Sequence, residues 1–148
     1  MTRYLVDTNV LLRIVDSTNP FYSVARNAEH MLRQQEHELW VAVQNCIEFW
    51  SVATRPASRN GLGRSSSRAQ SDLAIIEQTF AVLPNSPAVY SMWRQLVVTY
   101  NVSGVQVHDA HLVATMLANG VSHILTFNTA DFMRYANTGI VVADPAAI

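Results

Sequence analysis

The sequence predicts a single α/β domain in three layers, with helices on both faces of a mostly parallel sheet of four to five strands. Two observations lead there. Short apolar runs suited to buried strands alternate with longer stretches whose apolar residues recur at helical spacing, the pattern of a parallel sheet covered on both sides. The chain has 148 residues and no internal repeat, which is enough for one core and shows no sign of a second.

Residues 3–6 read as a short buried strand ending at Asp7, and residues 10–15 as a turn or two of helix. Pro20 precedes a longer helix over about 21–35, where Val24, Ala28, Met31 and Leu32 form an apolar stripe. Residues 39–43 give a second strand. Residues 44–54 give a helix with Cys46, Ile47, Trp50 and Ala53 turned inward, stopped before Pro56. Residues 57–68 shift to Ser, Gly, Asn and Arg without apolar period, which predicts a mobile loop. Ser66 or Ser67 is placed to cap the next helix, running to about Phe80. Val82 and Leu83 make a short third strand, and Ser86-Pro87 opens a helix through Tyr100. After a loop at 101–106, a helix over 109–118 ends at Asn119-Gly120. Residues 123–127 are a strand, 131–135 a helical turn and 140–142 a last strand.

Composition removes several function classes. No apolar run approaches the ~20 residues of a membrane span, and no basic segment followed by a long apolar stretch marks the N-terminus as a signal peptide. Cys46 is the single cysteine, so an intrachain disulfide and a multi-cysteine zinc site are both excluded. These features point to the cytoplasm. All 10 basic residues are arginine. Without lysine there is no P-loop, no protein-kinase chemistry and no Schiff base. Receiver domains and haloacid-dehalogenase-like phosphatases, which pair an aspartate with a lysine, fit poorly as well. The formal net charge of −1 does not announce a nucleic-acid binder.

The chain has only 11 acidic residues, so their placement is informative. Asp7 follows the first strand, Glu48 lies one turn into the helix after the second, Asp109 starts the helix before the fourth, and Asp131 lies just past the fourth. In open α/β sheets, ligands sit beyond the carboxyl ends of the strands, where Asp7, Glu48 and Asp131 belong by topology and Asp109 can join them. Each aspartate taken singly has a plainer reading as a helix cap. Glu48, between Ile47 and Phe49 in a helix that reads as buried, resists that account, because a buried carboxylate needs a partner. Four acids together repel and call for a cation. Oxygen-only donors favour Mg²⁺ or Mn²⁺ over zinc, and such an ion suits phosphodiester hydrolysis.

At these residues the chain resembles the PilT N-terminus (PIN) domain family, and within it the toxin nucleases of the VapBC toxin–antitoxin type. The matching segments are Leu5-Val6-Asp7-Thr8-Asn9-Val10-Leu11-Leu12 and Gln44-Asn45-Cys46-Ile47-Glu48-Phe49-Trp50. They continue with His108-Asp109-Ala110-His111-Leu112-Val113-Ala114 and Thr126-Phe127-Asn128-Thr129-Ala130-Asp131-Phe132. All occur in the family's order. The resemblance implies catalytic roles for Asp7, Glu48, Asp109 and Asp131, with Asp7 and Asp109 as direct metal ligands. Thr8, Asn9, Thr126 and Asn128 match polar positions that orient water or carboxylates. It further implies Mg²⁺- or Mn²⁺-dependent endonucleolytic cleavage of RNA, a homodimer and a cognate antitoxin protein. Two rival readings are a PIN nuclease of housekeeping RNA processing and a catalytically silent PIN module that binds a partner protein or RNA.

Arg55, Arg59, Arg64 and Arg68 flank or occupy the Ser-rich loop. They read equally as an RNA-phosphate grip and as a solvated, soluble loop. His108 and His111, three apart, share a helix face while Asp109 points elsewhere, so they read as structural or substrate-adjacent residues. Trp40, Trp50 and Trp93 fall in apolar patterns and read as core or dimer-interface residues, and Cys46 as packing.

Overall fold

Tyr4, Leu5 and Val6 are all buried. A strand apolar on both faces belongs in the middle of a sheet. The computed structural model, which describes Met1–Ile148, places it there. β1 (Arg3–Val6) pairs with β2 (Glu38–Ala42) on one side and with β4 (His123–Leu125) on the other. β3 (Ala81–Leu83) and β5 (Val141–Ala143) form the edges, giving the order β3-β2-β1-β4-β5 with every pair parallel. The register sets Leu5 opposite Trp40 and Ile124.

Alternation along β1 divides the helices into two layers. Tyr4 and Val6 face a core shared with α1 (Thr8–Ile14), α2 (Tyr22–Gln34), α3 (Val43–Thr54) and α4 (Ser66–Thr79). Leu5 faces the opposite core, built with α5 (Pro87–Thr99), α6 (Val107–Ala118) and α7 (Thr129–Met133). This is the expected three-layer α/β/α arrangement. Trp50 packs against the first core, and Trp40 and Trp93 against the second. No helix is long and apolar enough to cross a membrane.

The differences from the sequence reading have local causes. β4 ends early because, once the Thr126 N–H has bonded the Ala143 carbonyl, the following amides turn to side-chain acceptors. Phe127 N–H bonds Asn9 Oδ1, and Asn128 N–H bonds Thr126 Oγ1. The expected mobile loop is instead folded back on the end of α3. A 3₁₀ turn (Ala57–Arg59) opens it, and the amides of Leu62, Gly63 and Arg64 then bond the carbonyls of Val52, Arg55 and Ala53. Carbonyls that a helix end leaves orphaned are satisfied this way. Gly61 permits the approach, since a Cβ there would overlap the Arg55 carbonyl. The cap of α4 is Ser65, which accepts from the Arg68 amide at 3.1 Å, rather than Ser66 or Ser67. Ile47, expected inside, is 64 % exposed.

Arg64 bonds the buried Asp72, which also receives Arg68 at 3.3 Å, and reaches Asp16 at 3.9 Å. The pair locks the returning segment to α4. Removing one partner leaves a buried carboxylate short of a donor. Arg64→Ala is expected to lower stability by about 1–3 kcal/mol, read as a shift of the urea midpoint. An unchanged midpoint would show that Arg68 alone satisfies Asp72.

Candidate active site

Asp7 ends β1 and caps α1, so its carboxylate is fixed at the carboxyl edge of the central strand. Only 6 % of the residue is exposed. Oδ1 accepts from the Thr8 amide at 2.8 Å. Oδ2 accepts from the Thr126 hydroxyl at 2.8 Å and from Asn9 Nδ2 at 3.2 Å. Thr126 Oγ1 in turn accepts from Asn9 Nδ2 at 3.0 Å. Because Asn9 Oδ1 is taken by the Phe127 N–H, its Nδ2 must face Asp7 and Thr126, and the amide has one orientation.

Glu48 stands one turn into α3 and is held at both oxygens, by Thr8 Oγ1 at 2.9 Å and by Gln44 Nε2 at 2.7 Å. Behind Thr8 lies the fully buried Asn45. Its Nδ2 donates to Thr8 Oγ1 at 3.2 Å, and its Oδ1 accepts from the Ala42 amide at 2.8 Å. Gln44 Nε2 also donates to the His108 carbonyl at 2.8 Å, which leaves its Oε1 for His111 Nδ1 at 2.6 Å. His111 therefore carries a proton on Nδ1.

Asp7, Glu48 and Asp109 line one cleft of about 350 Å³, together with Thr8, Asn128 and Arg55. Asp131 lies in the first turn of α7, exposed and outside this lining, yet its charge acts on both Asp7 and Asp109. Helix capping accounts for Asp7 alone, because the caps of α6 and α7 are Gln106 and Asn128.

Burial pushes the Asp7 carboxyl up to about 6. The Thr126 and Thr8 hydrogen bonds oppose the rise, and the charges of Glu48 and Asp131 add to it. Asp109 is likewise pushed up to about 6, by burial and then by Asp7, Asp131 and Glu48, with His108 opposing. Arg55 is the one basic residue lining the cleft. The carboxylates thus repel each other with little compensation, a deficit that a divalent cation relieves. No three His, Cys, Asp or Glu side chains are grouped so as to hold an ion by themselves. The acidic donors of the cleft, Asp7, Glu48 and Asp109, are all oxygens, and such a donor set suits a hard divalent cation.

A family model for the PIN domain matches residues 4–137. The chain belongs to the PIN domain family. Solved structures of similar fold include VapBC-1 from nontypeable Haemophilus influenzae, with TM-score 0.71 and 13% identity over 97% of this chain and 98% of that one. A toxin–antitoxin complex from Klebsiella pneumoniae gives 0.64 and 21% over 98% and 99%. VapC20 from Mycobacterium tuberculosis, a sarcin–ricin loop cleaving toxin, gives 0.61 and 16% over 93% and 96%. At these identities the likeness is one of fold. No match was found among curated protein sequences.

In this PIN domain the four expected supporting residues divide by role. Thr8, Asn9 and Thr126 hold carboxylates, and Asn128 lines the cleft without capping α7. Of the arginines, Arg55 reaches the cleft, Arg64 and Arg68 are engaged by Asp72, and Arg59 is exposed on the 3₁₀ turn. Gln44 and Asn45 were given no role from sequence. Their signal was available in the i, i+4 spacing of Gln44 to Glu48.

The raised carboxyls predict how stability varies with pH in metal-free buffer. Between the ordinary value of 3.8 and about 6, the folded protein keeps protons that the unfolded chain releases. Stability therefore falls as pH rises through that window and levels off above it. Thermal melts in EDTA should show this slope in the wild type and lose it in the Asp7→Asn, Asp109→Asn double variant. Equal slopes in both proteins would contradict the assignment.

Proposed function

We propose that this PIN domain is a Mg²⁺- or Mn²⁺-dependent endoribonuclease and the toxin of a toxin–antitoxin pair. The observation that carries the reading is the cleft itself, which three carboxylates line and where two of them are pushed up to about 6. Asp7 and Asp109 would hold the ion. When bound, it supplies charge stabilisation at a phosphoryl oxygen and lowers the pKa of water.

The chain's own residues do the rest. Thr8 and Gln44 each occupy one site on the Glu48 carboxylate, which leaves both oxygens an acceptor site for a proton from water entering the cleft. Asn9 and Thr126 keep Asp7 from rotating. Asn128 offers its amide at the cleft wall, and Asp131 adds negative field from outside it. Arg55 meets an RNA phosphate, with Arg59 the outer contact on the same segment. Arg64 acts at a distance, by holding that segment to Asp72 on α4, where Arg68 makes a second bond to Asp72 from the same helix.

RNA as substrate is supported by the fold shared with VapC20, a toxin that cleaves the sarcin–ricin loop. A cognate antitoxin is supported by the toxin–antitoxin complex from Klebsiella pneumoniae, which has the same fold. A homodimer and a cytoplasmic location belong to the same reading through the family resemblance.

The test is cleavage of total cellular RNA by purified, antitoxin-free protein, with new 5′ ends mapped. Discrete cuts should require Mg²⁺ or Mn²⁺ and disappear with EDTA. Asp7→Asn should lose at least ~100-fold in rate, because even residues outside the ligand shell cost up to that much. Arg55→Ala should raise KM and reduce the salt dependence by about one counterion. Cleavage that survives Asp7→Asn would reject the site, and no cleavage by folded, metal-loaded protein would reject the enzyme.

A further inference from the structure

Apart from the acidic cleft, a second hollow of about 260 Å³ is lined by Val43, Gln44, Ile47, Asn85, His108 and His111. Gln44 belongs to its wall and Glu48 to the wall of the cleft, and their side chains are hydrogen-bonded at 2.7 Å. Along α3 the two residues are one turn apart, about 6 Å of rise. A strand with its phosphodiester at Glu48 thus has a neighbouring nucleotide within reach of the hollow.

The lining shows what chemistry would fit. No arginine and no carboxylate lines it, so no permanently charged side chain faces a ligand there. Ile47 presents a broad apolar side chain, 64 % exposed, at the wall of the hollow. Asn85, exposed in the segment between β3 and α5, carries a donor and an acceptor on one planar amide. His111 is fixed in orientation by Gln44 Oε1. Apolar faces with polar edges match a planar, uncharged heterocycle.

We infer that this hollow is a subsite for an unpaired nucleobase of the RNA strand beside the cleaved phosphodiester. Asn85 reads the base edge, while Ile47 and His108 pack on its face. Splayed bases of single-stranded RNA are recognised in this way, by packing on one face and hydrogen bonds at an edge. The inference rests on the nuclease reading for its choice of substrate.

Two measurements keep the inference and that reading apart. First, wild-type, Asn85→Ala and Ile47→Ala proteins cut an RNA library of randomised sequence, and base preference is scored position by position. The wild type should prefer one base at a single position next to the cut. Asn85→Ala should relax that preference about 10-fold, leaving other positions unchanged, and Ile47→Ala should raise KM. Both side chains are exposed, so folding is not at stake. Cleavage with the same preference in wild type and Asn85→Ala overturns the subsite and leaves the nuclease standing.

Second, the Asn85 side-chain amide signals are followed by NMR as short single-stranded RNA is added in EDTA. A shift without cleavage in any metal supports the subsite and rejects the nuclease. Neither shift nor cleavage rejects both. If Ile47→Asp converts a dimer to a monomer with unchanged base preference, the hollow is a surface between two copies and the inference fails.

Discussion

A carboxylate buried at the end of the central strand, Asp7, is the constraint around which the rest of the site is arranged. Taking a charged group out of water is costly unless donors and counter-charge are supplied. Here the donors are supplied and the counter-charge is not. Thr8, Asn9 and Thr126 come from a helix start and a strand end that the parallel sheet brings side by side. They fix the carboxylate in place but leave it among other acids. Ionising it alongside those acids is therefore unfavourable in the free chain, in line with the upward shift of its carboxyl.

α3 carries the second half of the design. Its half-buried polar stripe runs from Gln44 through Glu48 to the capping Arg55, so one face passes from neutral amide to acid to base. The amide end is tied to α6 through His108 and His111, and the basic end is closed by the returning segment with Gly61. Buried Asn45 anchors the start of the helix to Thr8 and hence to Asp7. The polar residues of α3 thus link the two halves of the cleft as a single hydrogen-bonded unit.

Much of this was legible in the chain itself. Short apolar runs alternating with helical stretches identify the parallel sheet, and topology then sends Asp7, Glu48 and Asp131 to one edge of it. The segment at 57–68 reads as a mobile loop because its polar composition reports exposure, whereas its backbone bonds to α3 and the start of α4 at Ser66 are not encoded in composition. The same limit applies to its arginines. Four similar residues in one segment divide into Arg55 at the cleft and Arg64 beneath it only once Asp72, on the next helix, is in place. Ile47 was assigned inward because it is apolar, but the helix turns it out to the solvent. Gln44 carries no charge and no periodic signal, so only its spacing to Glu48 hinted at a role.

The bond between Thr126 and Asp7 joins residues 119 positions apart, across the pairing of the first strand with the fourth. Contacts of such long range form late, since the intervening loop must close before they are rewarded. A ribosome-bound chain that has displayed only the first three strands therefore possesses Asp7 and Glu48 but lacks the hydroxyl that orients Asp7. The candidate site is in this sense complete only once the fourth strand has been made, and a partly synthesised domain does not yet contain it.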